Sequence, residues 1–278
     1  MTVVVIDVGA TRTEAGFGGW QEHTDPVRVE DTPESRESML RLLRRLTDEL
    51  VSLARSADRE VSGVGVGLPG WVDQDGRLVE SPHTSFGGMD VEAELADTAD
   101  VPFIADNDAN AQALGCFQGS ETVCYIALGT GVGGAVVDSG SLVRGANGFA
   151  GEVGHVPVSV SERRCPCGKS GCLDTVASGS SLRRDLGESW WERELSPDEK
   201  SRLTEAGEAV GEAASTMAAL NDPNRIAVTG HLTTREGFMK GVKKWDHPWT
   251  DCSLETTEET WTLARTGLTR LSRRAADG

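Results

Sequence analysis

Lysine is scarce in this 278-residue chain: Lys169, Lys200, Lys240, Lys243 and Lys244 are five of only 27 basic residues, set against 44 acidic ones. The net charge is −17 and the pI is near 4.7. A surface this acidic repels phosphate backbones and anionic lipid, so nucleic acid and membrane are disfavoured as partners. Long apolar runs are also missing. Stretches such as Val3–Ile6 and Val123–Leu128 fall far short of the ~20 residues that a membrane span needs. No basic segment followed by an apolar one opens the chain, so a cytoplasmic location is expected. The acidic excess fits either an ordinary acidic protein or a halophilic one, whose self-repulsion is screened in a high-salt cytoplasm. The second predicts a melting temperature that climbs steeply between low and molar KCl; a flat curve dismisses it.

What is present is unevenly placed. Of six cysteines, Cys165, Cys167 and Cys172 sit within eight residues, while Cys116, Cys124 and Cys252 are scattered. That clustering favours metal ligation over a disulfide framework. With His155 ten residues upstream of Cys165, the set offers four ligands for tetrahedral Zn²⁺. A closed four-ligand set implies a structural metal. A Cys-x-Cys redox pair beside a free third thiol is the alternative.

Hydrophobic patterning implies a mixed α/β chain. Val3–Ile6 is an apolar strand that turns at Asp7-Val8-Gly9-Ala10-Thr11. Apolar residues at three-to-four spacing predict a helix over 34–57, and strands are expected at 63–68 and 102–105. Residues 109–117 read as helical. Thr122–Leu128 then repeats the first device: an apolar strand, the turn Gly129-Thr130-Gly131-Val132-Gly133-Gly134, and a strand over 135–137. Helices are expected at 175–186, 199–220, 233–244 and 257–274, with a strand at 225–229. The duplication implies two lobes sharing a nucleotide, 1–110 and 111–278, with the last helix free to pack back on the first lobe.

Both turns suit anion binding, because small residues let backbone N–H groups approach and a Thr hydroxyl adds a donor. Asp7 could position Mg²⁺. Neither turn is a Walker A loop, since no Lys-Ser/Thr pair follows the glycines. Asp108 follows a strand among Asp106, Asn107 and Asn110. It is a candidate general base, with Asn107 holding the acceptor hydroxyl; the competing reading is a helix cap at Ala109. Glu152 and Asp174 flank the cysteine loop and could accept from sugar hydroxyls.

These segments resemble the ROK family (repressors, open reading frames and kinases). The likeness runs from about Val3 to Leu182, through Asp7–Thr11, Gly67-Leu68-Pro69-Gly70, Asn107–Asn110, Leu128–Gly134, Arg144–His155 and the Cys165–Cys172 loop. It implies an actin-like (ribonuclease-H-like) ATPase fold, with a hexose and Mg-ATP in the cleft between two lobes. It implies glucokinase-like phosphorylation at the 6-hydroxyl, with Asp108 as the base and a homodimer as the assembly. Phosphate contacts fall to Asp7, Gly9, Thr11, Thr130, Gly131 and Gly133. Sugar contacts fall to Asn107, Asp108, Glu152 and His155, and His155 also ligates zinc.

The chain departs from the family at four places, one of them Thr266-Gly267-Leu268-Thr269-Arg270-Leu271, where a helix rich in Gly and Ala is usual. Asp174 stands where a Glu is usual, and Ser81-Pro82-His83-Thr84 replaces Pro-Asn-Leu, which brings His83 toward the substrate. Thr229-Gly230-His231 carries one Gly after its strand instead of two. A sugar-sensing repressor of this family would carry a DNA-binding domain before Val3 and a more basic surface. A non-catalytic sugar-binding or sensor protein of the same fold is the other alternative.

Overall fold

Val3–Ile6 and Val123–Leu128 hold no charged residue, the composition of strands covered on both faces. In the computed structural model each lies in the central strand of a five-stranded sheet. The structure describes residues 1–82, 84–245, 251–257 and 259–277; His83, expected near the substrate, lies outside them. The chain forms two compact units. The first contains residues 1–117, 144–150 and 260–278, and the second 118–143 and 151–259. The division expected near 110 falls inside the helix Asp108–Cys116, which belongs to the first unit.

The first unit runs β1 (Thr2–Val8), β2 (Arg12–Gly18), β3 (Arg28–Asp31), α1 (Arg36–Ser56), β4 (Val61–Leu68), β5 (Trp71–Val72), β6 (Arg77–Glu80), β7 (Met89–Asp90), α2 (Val91–Leu95), β8 (Phe103–Asn107) and α3 (Asp108–Cys116). Its main sheet is ordered β3-β2-β1-β4-β8. β1 is antiparallel to β2 and parallel to β4, which is parallel to β8. α1 starts where Ser35 accepts from Ser38 N–H, satisfying one orphan donor of the first turn. Its Met39, Leu43, Leu46 and Leu50 are buried in one cluster with Val4, Ile6, Val64 and Val66. Strand side chains alternate, so Val3, Val5 and Asp7, with Gly63, Gly65 and Gly67, fall on the opposite face.

The second unit repeats the plan: β9 (Thr122–Leu128), β10 (Val132–Asp138), β11 (Ser141–Leu142), α4 (Asp174–Ala177), α5 (Gly179–Leu186), α6 (Pro197–Asn221), β12 (Arg225–Thr229), α7 (Glu236–Val242) and β13 (Ser253–Thr257). The order β11-β10-β9-β12-β13 matches the first sheet strand for strand, with a parallel pair on one side of β9 and an antiparallel one on the other. The helix expected over 175–186 is two. Ser178 between them is extended and caps α5 by accepting from Ser181 N–H.

The final helix, α8 (Thr260–Asp277), returns to the first unit and lies over the glycine face of its sheet. A Cβ on Gly65 would sit 3.0 Å from Leu268 Cβ, and one on Gly267 only 1.7 Å from the Ala111 carbonyl oxygen of α3. Glycine is required at that crossing by contact rather than by torsion. No helix among the described residues is long and apolar enough to cross a membrane.

Candidate functional site

In the first unit, Gly9–Thr11 closes the β1–β2 hairpin. Gly9 N–H donates to Arg12 C=O at 2.9 Å, and a Cβ on Gly9 would lie 2.8 Å from that same oxygen. Thr32 Oγ1 donates to Gly9 C=O from behind, and Thr11 is exposed at the tip. Asp7, next to last in β1, is 9% exposed. Its Oδ1 has no hydrogen-bond partner. Burial, then Asp108 and Glu14, push its carboxyl well above the usual carboxylate range. An enclosed acidic group with an unmatched oxygen is short of positive charge, and a hard divalent cation such as Mg²⁺ would supply it. Gly67 keeps the place open, since a Cβ there would meet Asp7 Oδ1 at 2.8 Å and Asp108 Cα at 3.6 Å.

Asp108 does not cap α3. Asn107 does: its Oδ1 accepts from Asn110 N–H at 3.0 Å, while its Nδ2 donates to Gly70 C=O at 2.8 Å. Both ends of the Asn107 amide therefore brace the loop. Asp108 is left at the first helical position with one oxygen accepting from Ala109 N–H. A helix N-terminus lowers a carboxyl pKa, but here burial wins and raises it to about 6. Such a group is ionised at neutral pH yet basic enough to take a proton.

Beneath this loop lies Asp106, 1% exposed. It pairs with Arg144 at 2.5 Å and accepts from Asn110 Nδ2 at 2.8 Å. Asp106 and Arg144 carry this loop but escaped sequence reasoning. Two acidic neighbours of Asn107 look alike in sequence, and only the fold brings Arg144 to one of them.

In the second unit the Gly129–Gly131 turn joins β9 to β10, with Gly129 N–H donating to Gly131 C=O at 3.0 Å. The first amides of α5 hold it from outside: Gly179 N–H donates to Gly129 C=O and Ser180 N–H to Thr130 C=O. These orphan helix donors explain why the chain breaks at Ser178. Gly133 and Gly134 lie in β10, where a Cβ on Gly134 would strike Val153 Cγ1 at 2.4 Å. Asp174, expected at the sugar, is the first residue of α4, and its Oδ1 accepts from Val132 N–H at 2.8 Å.

The ligand atoms of His155, Cys165, Cys167 and Cys172 all lie within 4.8 Å of one another. Cys165 Sγ is 3.6 Å from His155 Nδ1, and Cys167 Sγ is 3.6 Å from Cys172 Sγ. Two sulfurs that far apart are not a disulfide. They match the edge of a tetrahedron with metal–sulfur bonds of about 2.3 Å, so the donor set fits zinc. The Cys165 amide donates to Lys169 C=O, and Gly168, with φ 92°, makes the bend that lets the loop return. Protein purified without chelator should carry about one zinc per chain by elemental analysis, and Cys172→Ser should lose it. Glu152 immediately precedes the 3₁₀ turn Val153–His155 and is half-buried.

These motifs have known counterparts. The profile of the ROK family matches residues 3–267. The chain belongs to the ROK family. A glucokinase of Halalkalibacterium halodurans is 36% identical over 144 residues, which cover 49% of this chain and 44% of that protein. A xylose repressor of Caldicellulosiruptor bescii is 33% identical over 155 residues, 54% of this chain and 39% of the repressor. The chain thus matches less than half the length of these curated relatives. Among solved structures, a ROK glucokinase from Streptomyces griseus, in complex with glucose and AMPPNP, superposes with a TM-score of 0.82 at 22% identity, covering 99% of this chain and 100% of that one. The fold is that of the ROK sugar kinases, the actin-like ATPase fold.

The single Gly after β12, where this ROK chain departs from its family, is tightly packed. After β12 the lone Gly230 (φ 112°) crosses so close to β9 that a Cβ would lie 2.1 Å from Leu128 C=O. Beyond it Arg235 stacks 3.7 Å over Trp191, whose ring faces His231 edge-on at 6.2 Å.

Proposed function

We propose that the chain is an ATP-dependent hexose kinase in which Asp108 is the general base. The carrying observation is Asp108 itself: relieved of capping by Asn107, and raised to about 6 by burial. In this reading Asp108 takes the proton of the sugar 6-hydroxyl as its oxygen bonds to the γ-phosphorus. The bond from that phosphorus to the β,γ-bridging oxygen breaks, and ADP leaves. The chain's own donors for the phosphates lie in the Gly9–Thr11 and Thr130–Gly133 turns, in amides other than those of Gly9 and Val132, which are bonded to Arg12 and Asp174, together with the two threonine hydroxyls. Asp7 would hold Mg²⁺, which neutralises charge on the transferring group. Glu152 and His155 would accept from and donate to sugar hydroxyls, His155 by the side of its ring opposite Nδ1. Zinc on the four-ligand set would fix the loop that carries them. A homodimer completes the reading.

A coupled assay with a panel of hexoses and N-acetylhexosamines, in Mg-ATP and at low and molar KCl, tests it. ADP release dependent on one sugar is expected. No turnover with any sugar, together with saturable sugar binding by calorimetry, would instead support a non-catalytic sensor. The match to xylose repressors is the observation favouring that second reading.

A further inference from the structure

Val132, the first residue of β10 and the exit of the glycine turn, is bonded at its N–H and closely packed at its C=O. Its N–H donates to Asp174 Oδ1 at 2.8 Å. Its C=O is so close to Gly154 that a Cβ on that glycine would lie 2.2 Å away. Gly154 directly precedes His155, and Asp174 lies two residues after Cys172. The two jaws are therefore the two flanks of the four-ligand set. They are tied to each other as well, since Leu173 N–H donates to Val156 C=O and Val158 N–H to Gly171 C=O. From Asp174 the chain runs through α4 to the α5 amides that hold Gly129 and Thr130. The Asp174 carboxylate and the Gly179 and Ser180 amides that hold the turn from outside thus all lie on the segment continuing from the metal loop.

We infer that Asp174 is a positioning residue for the phosphate donor, coupling the His155/Cys165/Cys167/Cys172 set to the Gly129–Gly131 turn. This rests on the kinase reading for its kinetic arm alone. A carboxylate at this place carries a formal charge to a backbone amide, a stronger bond than a neutral acceptor makes. It ties the Val132 peptide, at the exit of the turn, to α4. Asp174 reaches Val132 from the first residue of α4. The metal loop, on this view, sets the shape of a nucleotide-phosphate cradle as well as that of a sugar contact.

The test compares wild type, Asp174→Ala and Asp174→Asn, zinc-loaded, by hydrogen exchange over residues 129–134 and by kinetics with Mg-ATP and the hexose selected by the assay panel. Asp174→Ala should speed exchange at Val132 by about tenfold or more. It should raise the KM for Mg-ATP by about tenfold and change the KM for sugar less than about twofold. Asp174→Asn keeps an acceptor oxygen and should recover most of both. Stripping zinc from the wild type should speed the same exchange with no ligand present, a readout that needs neither turnover nor a variant. Unchanged exchange in Asp174→Ala and after chelation would overturn the inference. So would a rise confined to the sugar KM. If no hexose is phosphorylated at all, the kinase reading fails while the exchange arm still decides the coupling.

Discussion

Asp108→Asn should lower kcat by about 10³-fold, within the 10²–10⁴ range that a general base supplies, while making the protein harder to unfold. The two effects share one cause. Burial raises the Asp108 carboxyl to about 6, whereas the unfolded chain holds it near 3.9. The folded state therefore disfavours the charge. That penalty is absent below about pH 4, grows between the two values and is complete above 6. Removing the charge should stabilise the protein by about 1–2 kcal/mol at pH 7.5, after allowance for partial solvent access. The gain should vanish at pH 4. Denaturant melts at both pH values check this. The wild-type kcat/KM should fall about tenfold per unit below pH 6, because the protonated carboxyl cannot accept. A variant that is both active and no more stable would remove Asp108 from the chemistry.

Gly267→Ala should destabilise the first unit by about 3 kcal/mol or more, since overpacking a backbone contact cannot be relieved by a side-chain rotation. The added Cβ would lie 1.7 Å from Ala111 C=O, and the reciprocal Gly115 would meet Leu263 C=O at 1.9 Å. Forcing α8 from α3 displaces the helix whose first residue is Asp108, so activity should fall with stability. Gly237→Ala is the matched control. It lies in α7, where a Cβ would find ordinary contact at 3.6 Å from Leu203, and alanine is the better helix former there. Chemical denaturation of the two variants side by side separates a steric effect from a generic loss of glycine.

What could be read from the chain was local. The metal set spans 18 residues and the two Gly-Thr turns each follow an apolar strand, so spacing alone exposes them. The duplicated sheets were foreshadowed by the same repeat. β2, with Glu14 amid Ala15 and Gly16, lacks a clean alternation and was missed. What escaped depends on distance in sequence. Asp174 meets Val132 across 42 residues and Arg144 meets Asp106 across 38. The backbone bonds that Asp174 makes to Val132, and Asn107 to Gly70, could not be read from sequence for the same reason. The α8 glycine likewise shows its purpose only once Ala111 is seen beside it.

The placement of α8 sets an order of assembly. Residues 260–277 leave the ribosome after every residue of the second unit, yet they cover the Gly18, Gly63 and Gly65 face of the sheet that is made first. That sheet waits, with Val3 and Val5 uncovered, through the synthesis of more than 140 intervening residues counted from Gln118 to Glu259. Domains commonly fold as they emerge. Here the N-terminal half is the last to be completed, and the C-terminal unit can reach its native state first.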